Sequence, residues 1–174
     1  MTGNQQGTIY IGKLTSSPIG SIWVAVSDRG LVAVEVSAKQ GALNKQLNRL
    51  GFQEIVIDQG KTSPALLQIS EYLHGQRKTF DLPIDWSVLT PFQERTLRTT
   101  YEIPYGQVST YGEIARQLGN PRAARAVGRA EATNPMPLVI PCHRVIGADG
   151  GLHGYGAGEG LATKAWLLQL EQKG

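Results

Sequence analysis

The chain has 174 residues, 41% of them hydrophobic and 18% charged, with a net charge of +3. That is the make-up of a globular protein of one or two small domains, long enough to bury a real core. No apolar run approaches the roughly 18 residues of a membrane helix and no charged-apolar-small leader is seen, so no membrane association and a reducing, cytoplasmic location are expected. The weak positive charge permits a polyanionic partner without requiring one.

In chain order, Thr8 to Val36 reads as strand, turn, strand, turn, strand: Ile9 and Ile11, Ser16-Ser-Pro-Ile-Gly20, Ile22 to Val26, Asp28-Arg-Gly30, then Leu31 to Val36. Helices follow over 42–50, with Leu43, Leu47 and Leu50, and over 65–74, where Ser63-Pro64 reads as a cap followed by proline. The composition changes near Asp85, which predicts a first domain over 1–85 and a second over 86–174. The first half is α+β and carries no chemical motif; the chain shows no internal repeat.

The second half reads as short helices. Pro91 to Ile103 is the first, closed by Pro104-Tyr-Gly106. Thr110 and Glu113 stand at capping-box spacing and open a helix to Leu118, which Gly119 ends. Asn120-Pro121 starts the next, with asparagine expected as its cap. Helix, tight glycine turn, helix is the shape of a DNA-binding helix-turn-helix. Arg122, Arg125 and Arg129 lie at i, i+3, i+7 and share one face, while Ala123, Ala126, Val127 and Ala130 form an apolar stripe suited to a core. Arginines beside small residues suit a helix lying against phosphates; the competing reading is a solvated surface face.

Cys142 is the only cysteine, in Pro141-Cys-His-Arg144. With no partner for a disulfide, it serves as a buried hydrophobe or as a reactive thiol, and two adjacent cations are expected to favour the thiolate. Such a nucleophile needs a base and the base an orienter. His143 is adjacent, but successive side chains point apart, so direct contact and a bridging water both stand open. On the last helix, Leu161 to Gln172, Lys164, Leu167, Leu168 and Glu171 fall at i, i+3, i+4, i+7. A carboxylate on that apolar face needs a cationic or N–H partner, and His143 is a candidate. His153 reads as a loop residue.

Pro91-Phe-Gln93, Ile103-Pro-Tyr-Gly106, Ser109-Thr-Tyr-Gly-Glu-Ile-Ala115, Arg125-Ala-Val-Gly128, Asn134-Pro135, Pro141-Cys-His-Arg-Val145, Gly154-Tyr155 and Leu167-Leu168 with Glu171 together resemble the O6-alkylguanine-DNA alkyltransferases, also called methylated-DNA–protein-cysteine methyltransferases. The likeness spans the second half in order and spacing; in the first half it rests on the strand pattern with Ser17-Pro-Ile-Gly20. It implies an α+β fold, with an N-terminal ribonuclease-H-like domain and a C-terminal winged-helix-like domain. It further implies single, irreversible transfer of an alkyl group from O6-alkylguanine in double-stranded DNA to Cys142, with O4-alkylthymine a second candidate lesion. Residue by residue, Glu171, His143, a water and Cys142 would form the relay, Asn134 would brace it, Tyr111 would contact the flipped base, and Arg125 would fill its place in the stack. Thr110, Arg122, Ala126 and Arg129 would line the DNA, and Pro137, Val145, Tyr155 and Gly156 the pocket. No cofactor is expected, a zinc site of several thiolates is impossible with one cysteine, and the protein is expected to act as a monomer. The glycine-rich run Gly154 to Leu161 is about two residues longer than the shorter family pattern, leaving the accepted alkyl size open. The rival classes are a damage-binding protein that transfers nothing, a cysteine hydrolase, and a winged-helix regulator.

Overall fold

The computed structural model describes residues 7–37 and 39–174 and divides into two compact units, Met1–Val88 and Leu89–Gly174. In the first, β1 (Ile9–Leu14), β2 (Ile22–Ser27) and β3 (Gly30–Val36) form an antiparallel meander, with Ile11 opposite Ala25 and Val24 opposite Val34. A short β4 (Ile55–Ile57) joins β1 in parallel, giving the order β3-β2-β1-β4. The three residues of β4, two of them exposed, are too few to show a strand pattern in sequence; pairing with β1 makes the strand.

Both faces of the meander are covered, so β2 buries four consecutive residues instead of alternating. On one face Leu43 and Leu47 of α1 (Gln40–Arg49) pack with Ile9, Ile11, Trp23, Ala25, Ala33 and Phe52. On the other lies α2 (Gln59–Leu73), which buries Thr62, Ala65, Leu66, Ile69, Tyr72 and Leu73, a helical repeat on one face. It approaches β1 so closely that a Cβ on Gly12 would run into Thr62 and Gln59.

Helix α2 starts six residues before the expected Ala65. Asp58 is its cap, accepting from the Lys61 N–H at 3.0 Å, and Ser63-Pro64 lies inside the helix. Proline there leaves the Gly60 carbonyl without its backbone donor. The Ser63 hydroxyl supplies one at 3.2 Å, so the residue that looked like a cap repairs the interruption instead.

The second unit contains α3 (Pro91–Tyr101), the two-residue strand β5 (Ser109–Thr110), α4 (Tyr111–Gln117), α5 (Ala124–Ala132), the strand β6 (Val145–Ile146) parallel to β5, and α6 (Leu161–Lys173). The capping box at α4 forms as spaced: the Thr110 hydroxyl accepts from the Glu113 N–H, and the Glu113 carboxylate accepts from the Thr110 N–H at 2.7 Å. Gly119 turns the chain with φ 77°, where glycine is unstrained. The next step departs from expectation, because the Asn120 side chain makes no cap. Pro121–Ala123 is a 3-10 turn closed by the Ala123 N–H on the Asn120 carbonyl at 2.9 Å, and the α-helix begins only at Ala124. Ile114, Ala115, Val127 and Val145 form the core beneath this helix-turn-helix.

Candidate active site

Cys142 begins a 3-10 turn, Cys142–Arg144, after a fully buried run from Pro135 to Pro141. Asn134 braces that run at both ends: its side-chain oxygen accepts from the Met136 N–H at 2.9 Å, and its amide donates to the Ile140 carbonyl at 3.0 Å. The same side chain favours the ionised form of the thiol.

In a turn of three residues per revolution, successive side chains point about a third of a circle apart; Cys142 faces the cavity, whereas His143 and Arg144 both reach Glu171. His143, wholly buried, meets the Glu171 carboxylate through Nε2 at 2.8 Å. Arg144 grips both oxygens of Glu171 at 2.8–3.1 Å and donates to the Ile103 carbonyl at 2.6 Å. The Gly106 N–H completes the carboxylate's ring of donors at 3.0 Å, from a turn with φ 77° and beside the Glu171 backbone. The buried carboxylate expected on the last helix is therefore present, with His143 as one partner and Arg144 as an unforeseen second.

This arrangement corrects the expected source of thiol activation. Burial pushes the Cys142 thiol up to about 12, reinforced by the charge of Glu131 and opposed by Asn134 and Lys164. Arg144 is occupied by Glu171, and burial holds His143 below its ordinary value. The resting thiol is thus protonated at neutral pH. Lys164 is the cation acting on the thiol. Neutral His143 is a base: with Nε2–H donating to Glu171, the lone pair sits on Nδ1.

Cys142 opens on a cavity of about 810 Å³, lined by Tyr111, Arg125, Gly128, Glu131, Gly147, His153, Tyr155 and Gly156 among others. That volume suits a small organic ligand. Arg122, Arg125 and Arg129 are all exposed. Ala126 is exposed too and lies outside the core stripe, which keeps Val127 and Ala130, both buried, and Ala123, half-buried against the core cluster. Thr110 is half-buried as the α4 cap. Among the residues assigned to the pocket, Tyr155 and Gly156 line the cavity, whereas Pro137 is buried in the braced run and Val145 belongs to the core cluster. His153 sits in a loop with φ 63°, and its Nε2 pairs with Asp149 at 2.8 Å.

Two buried charged residues escaped the sequence reading. Lys164 is 0% exposed and its ammonium donates to the carbonyls of Val145 and Leu152, both at 2.7 Å, and of Gly154 at 3.2 Å. It ties the loop of the cavity to β6. Its place in the repeat of Leu167 and Glu171 was the available signal. Glu131, 7% exposed on α5, hydrogen-bonds with Thr100 and lines the cavity. Nothing in its local sequence marks it.

A buried thiol opening on a cavity, next in sequence to a His143–Glu171–Arg144 cluster and beside a helix presenting exposed arginines, defines a class: a protein whose cysteine receives a group from a ligand held in that cavity. Residues 91–173 match the domain described as 6-O-methylguanine DNA methyltransferase, DNA binding domain, and residues 9–86 match the ribonuclease-like domain of the same description. The chain is 39% identical to a methylated-DNA–protein-cysteine methyltransferase of Methanosarcina acetivorans, over 89% of this chain and 94% of that protein. It is 37% identical to the inducible enzyme of that name from Bacillus subtilis, over 88% and 85%. The crystal structure of Mycobacterium tuberculosis OGT in complex with DNA superposes with a TM-score of 0.79 at 36% identity, covering 94% of this chain and 93% of that one. The chain belongs to the 6-O-methylguanine DNA methyltransferase family.

Proposed function

We propose that this chain repairs alkylated DNA by moving the alkyl group of O6-alkylguanine irreversibly to Cys142. The observation that carries this reading is the Cys142 turn, with His143 on the Glu171 carboxylate at one side and the cavity at the other.

The step balances as a displacement. The Cys142 proton passes to His143, directly or through water, and Glu171 stabilises the imidazolium. The thiolate attacks the alkyl carbon, an S–C bond forms, and the C–O6 bond breaks with its electron pair going to the base. Guanine takes up one proton from Tyr111, and the proton held by His143 replaces it on the tyrosinate, so both residues return to their neutral forms. A thioether does not hydrolyse, so each molecule reacts once. The base must leave the duplex, because O6 is otherwise out of reach of a protein thiol. Arg125, at the cavity rim, is assigned to the vacated place in the stack, and Arg122, Arg129, Thr110 and Ala126 to the DNA surface.

The same proposal gives residues 86–174 the chemistry and residues 1–85 a supporting role. No helix among the described residues is long and apolar enough to cross a membrane; we place the protein in the cytoplasm, acting as a monomer on DNA. Titrating a duplex containing O6-methylguanine with the protein tests the reading. Restored guanine should rise linearly and stop at one per protein molecule; several guanines per molecule would mean a hydrolytic enzyme, and none a damage binder.

A further inference from the structure

The cavity wall carries a carboxyl that the relay does not use. Glu131 Oε2 is buried with no hydrogen-bond partner among the described residues. Its Oε1 is hydrogen-bonded with the hydroxyl of Thr100 on α3, and that hydroxyl also lies 3.2 Å from the Thr96 carbonyl. Thr100 has one hydrogen and two acceptors. Both contacts are satisfied together when Glu131 holds a proton on Oε1 and donates it to Thr100, leaving Thr100 to donate to Thr96. An ionised Glu131 would bury a bare carboxylate oxygen without a donor.

The charged and titratable groups coupled to it come from three other elements. Lys164 on α6 has its ammonium held by three backbone carbonyls. Tyr111 on α4 and Cys142 in its turn both feel Glu131 as a negative charge that disfavours their own ionisation. A carboxylate at this position and a thiolate at Cys142 therefore oppose each other across one cavity.

We propose that Glu131 works in the cavity wall as a neutral acid, and that keeping its proton is a condition for Cys142 to become a nucleophile. The proposal rests on the reading of Cys142 as the alkyl acceptor. Glu131 acts through Cys142 and is a positioning residue. Burial pushes its carboxyl up to about 8, so the acid form prevails at neutral pH and is lost just above it. Transfer then slows in alkaline solution, where an ordinary thiol reacts faster.

Single-turnover transfer from a duplex containing O6-methylguanine, followed from pH 6.5 to 9.5 for the wild type and Glu131→Gln, tests this. The amide keeps the shape and the Thr100 contact but carries no charge at any pH. The ratio of variant to wild-type rate should rise about tenfold between pH 7 and pH 9, the equivalent of one unit in the thiol's ionisation. Superimposable profiles, or a variant slowed equally at every pH, would overturn the role of Glu131 while leaving Cys142 as acceptor. Absence of transfer by the wild type at pH 7 would overturn both. Should the variant not fold, infrared difference spectra of the wild type carrying ¹³C-carboxyl glutamate decide: a protonated carboxyl lost near pH 8 together with the rate supports the proposal, and a carboxylate present throughout sinks it.

Discussion

Glu171 holds two residues in place, and its removal should therefore show in two measurements. Replacing it by Gln leaves Arg144, 6% exposed, without its counter-charge. Breaking one side of a buried pair costs about 3–5 kcal/mol, which urea unfolding of Glu171→Gln should register. The same change removes the group that stabilises imidazolium at His143, so transfer should slow by on the order of 10²–10⁴-fold. Stability lost with rate retained would assign the triad to structure alone. The pairing of Glu171 with His143 was legible, because a carboxylate in the buried repeat of a helix demands a donor. The state of Cys142 was not: adjacency in sequence made His143 and Arg144 look like its counter-charges, whereas the turn geometry sends both to Glu171.

At the scale of elements, the capping box and the arginine helix give separate predictions. Thr110→Ala removes the acceptor for the Glu113 N–H at the start of α4 and should cost about 1 kcal/mol of stability. Arg122 and Arg129 are assigned to phosphate, so replacing either by Ala should weaken binding to all duplexes alike and lower the salt slope by about 1. Arg125→Ala should instead slow transfer from duplex DNA far more than transfer from a free O6-alkylguanine base, because only the duplex needs the vacated stack filled. Equal slowing on both substrates would place Arg125 in the pocket chemistry. The helices of the second unit could be read from their punctuation, since Thr110, Glu113 and Gly119 each satisfy a local backbone requirement. Asn120 and Ser63 misled for a shared reason: both are good capping residues whose neighbours, a 3-10 turn in one case and Asp58 in the other, had already set the helix start.

At the scale of the whole molecule, the buried charges link stability to pH. Folding raises the Glu131 carboxyl from 4.5 to about 8, so the folded state binds the proton more tightly than the unfolded chain. The resulting stabilisation is complete below pH 4.5, declines as the pH rises, and is gone above about 8. Between pH 5 and 8.5 the wild type should lose roughly 3–5 kcal/mol more than Glu131→Gln in denaturant unfolding. Equal losses would show that Glu131 is not a buried acid. The α+β architecture was readable from strand and turn patterns, but the roles of the buried charges Glu131 and Lys164 were not. Glu131 is an ordinary helix residue by sequence, and Lys164 shows only its place in the repeat of Leu167 and Glu171; the packing of the second unit removes both from water.

The central claim is that Cys142 itself receives the alkyl group. It is tested most directly by incubating the protein with a duplex containing O6-[²H₃]methylguanine, followed by peptide mass analysis. The account predicts one deuterated methyl per molecule, located on Cys142, stable over time and absent from Cys142→Ala, which still binds the damaged duplex. Restored guanine with an unmodified Cys142, or label on any other residue, would contradict it.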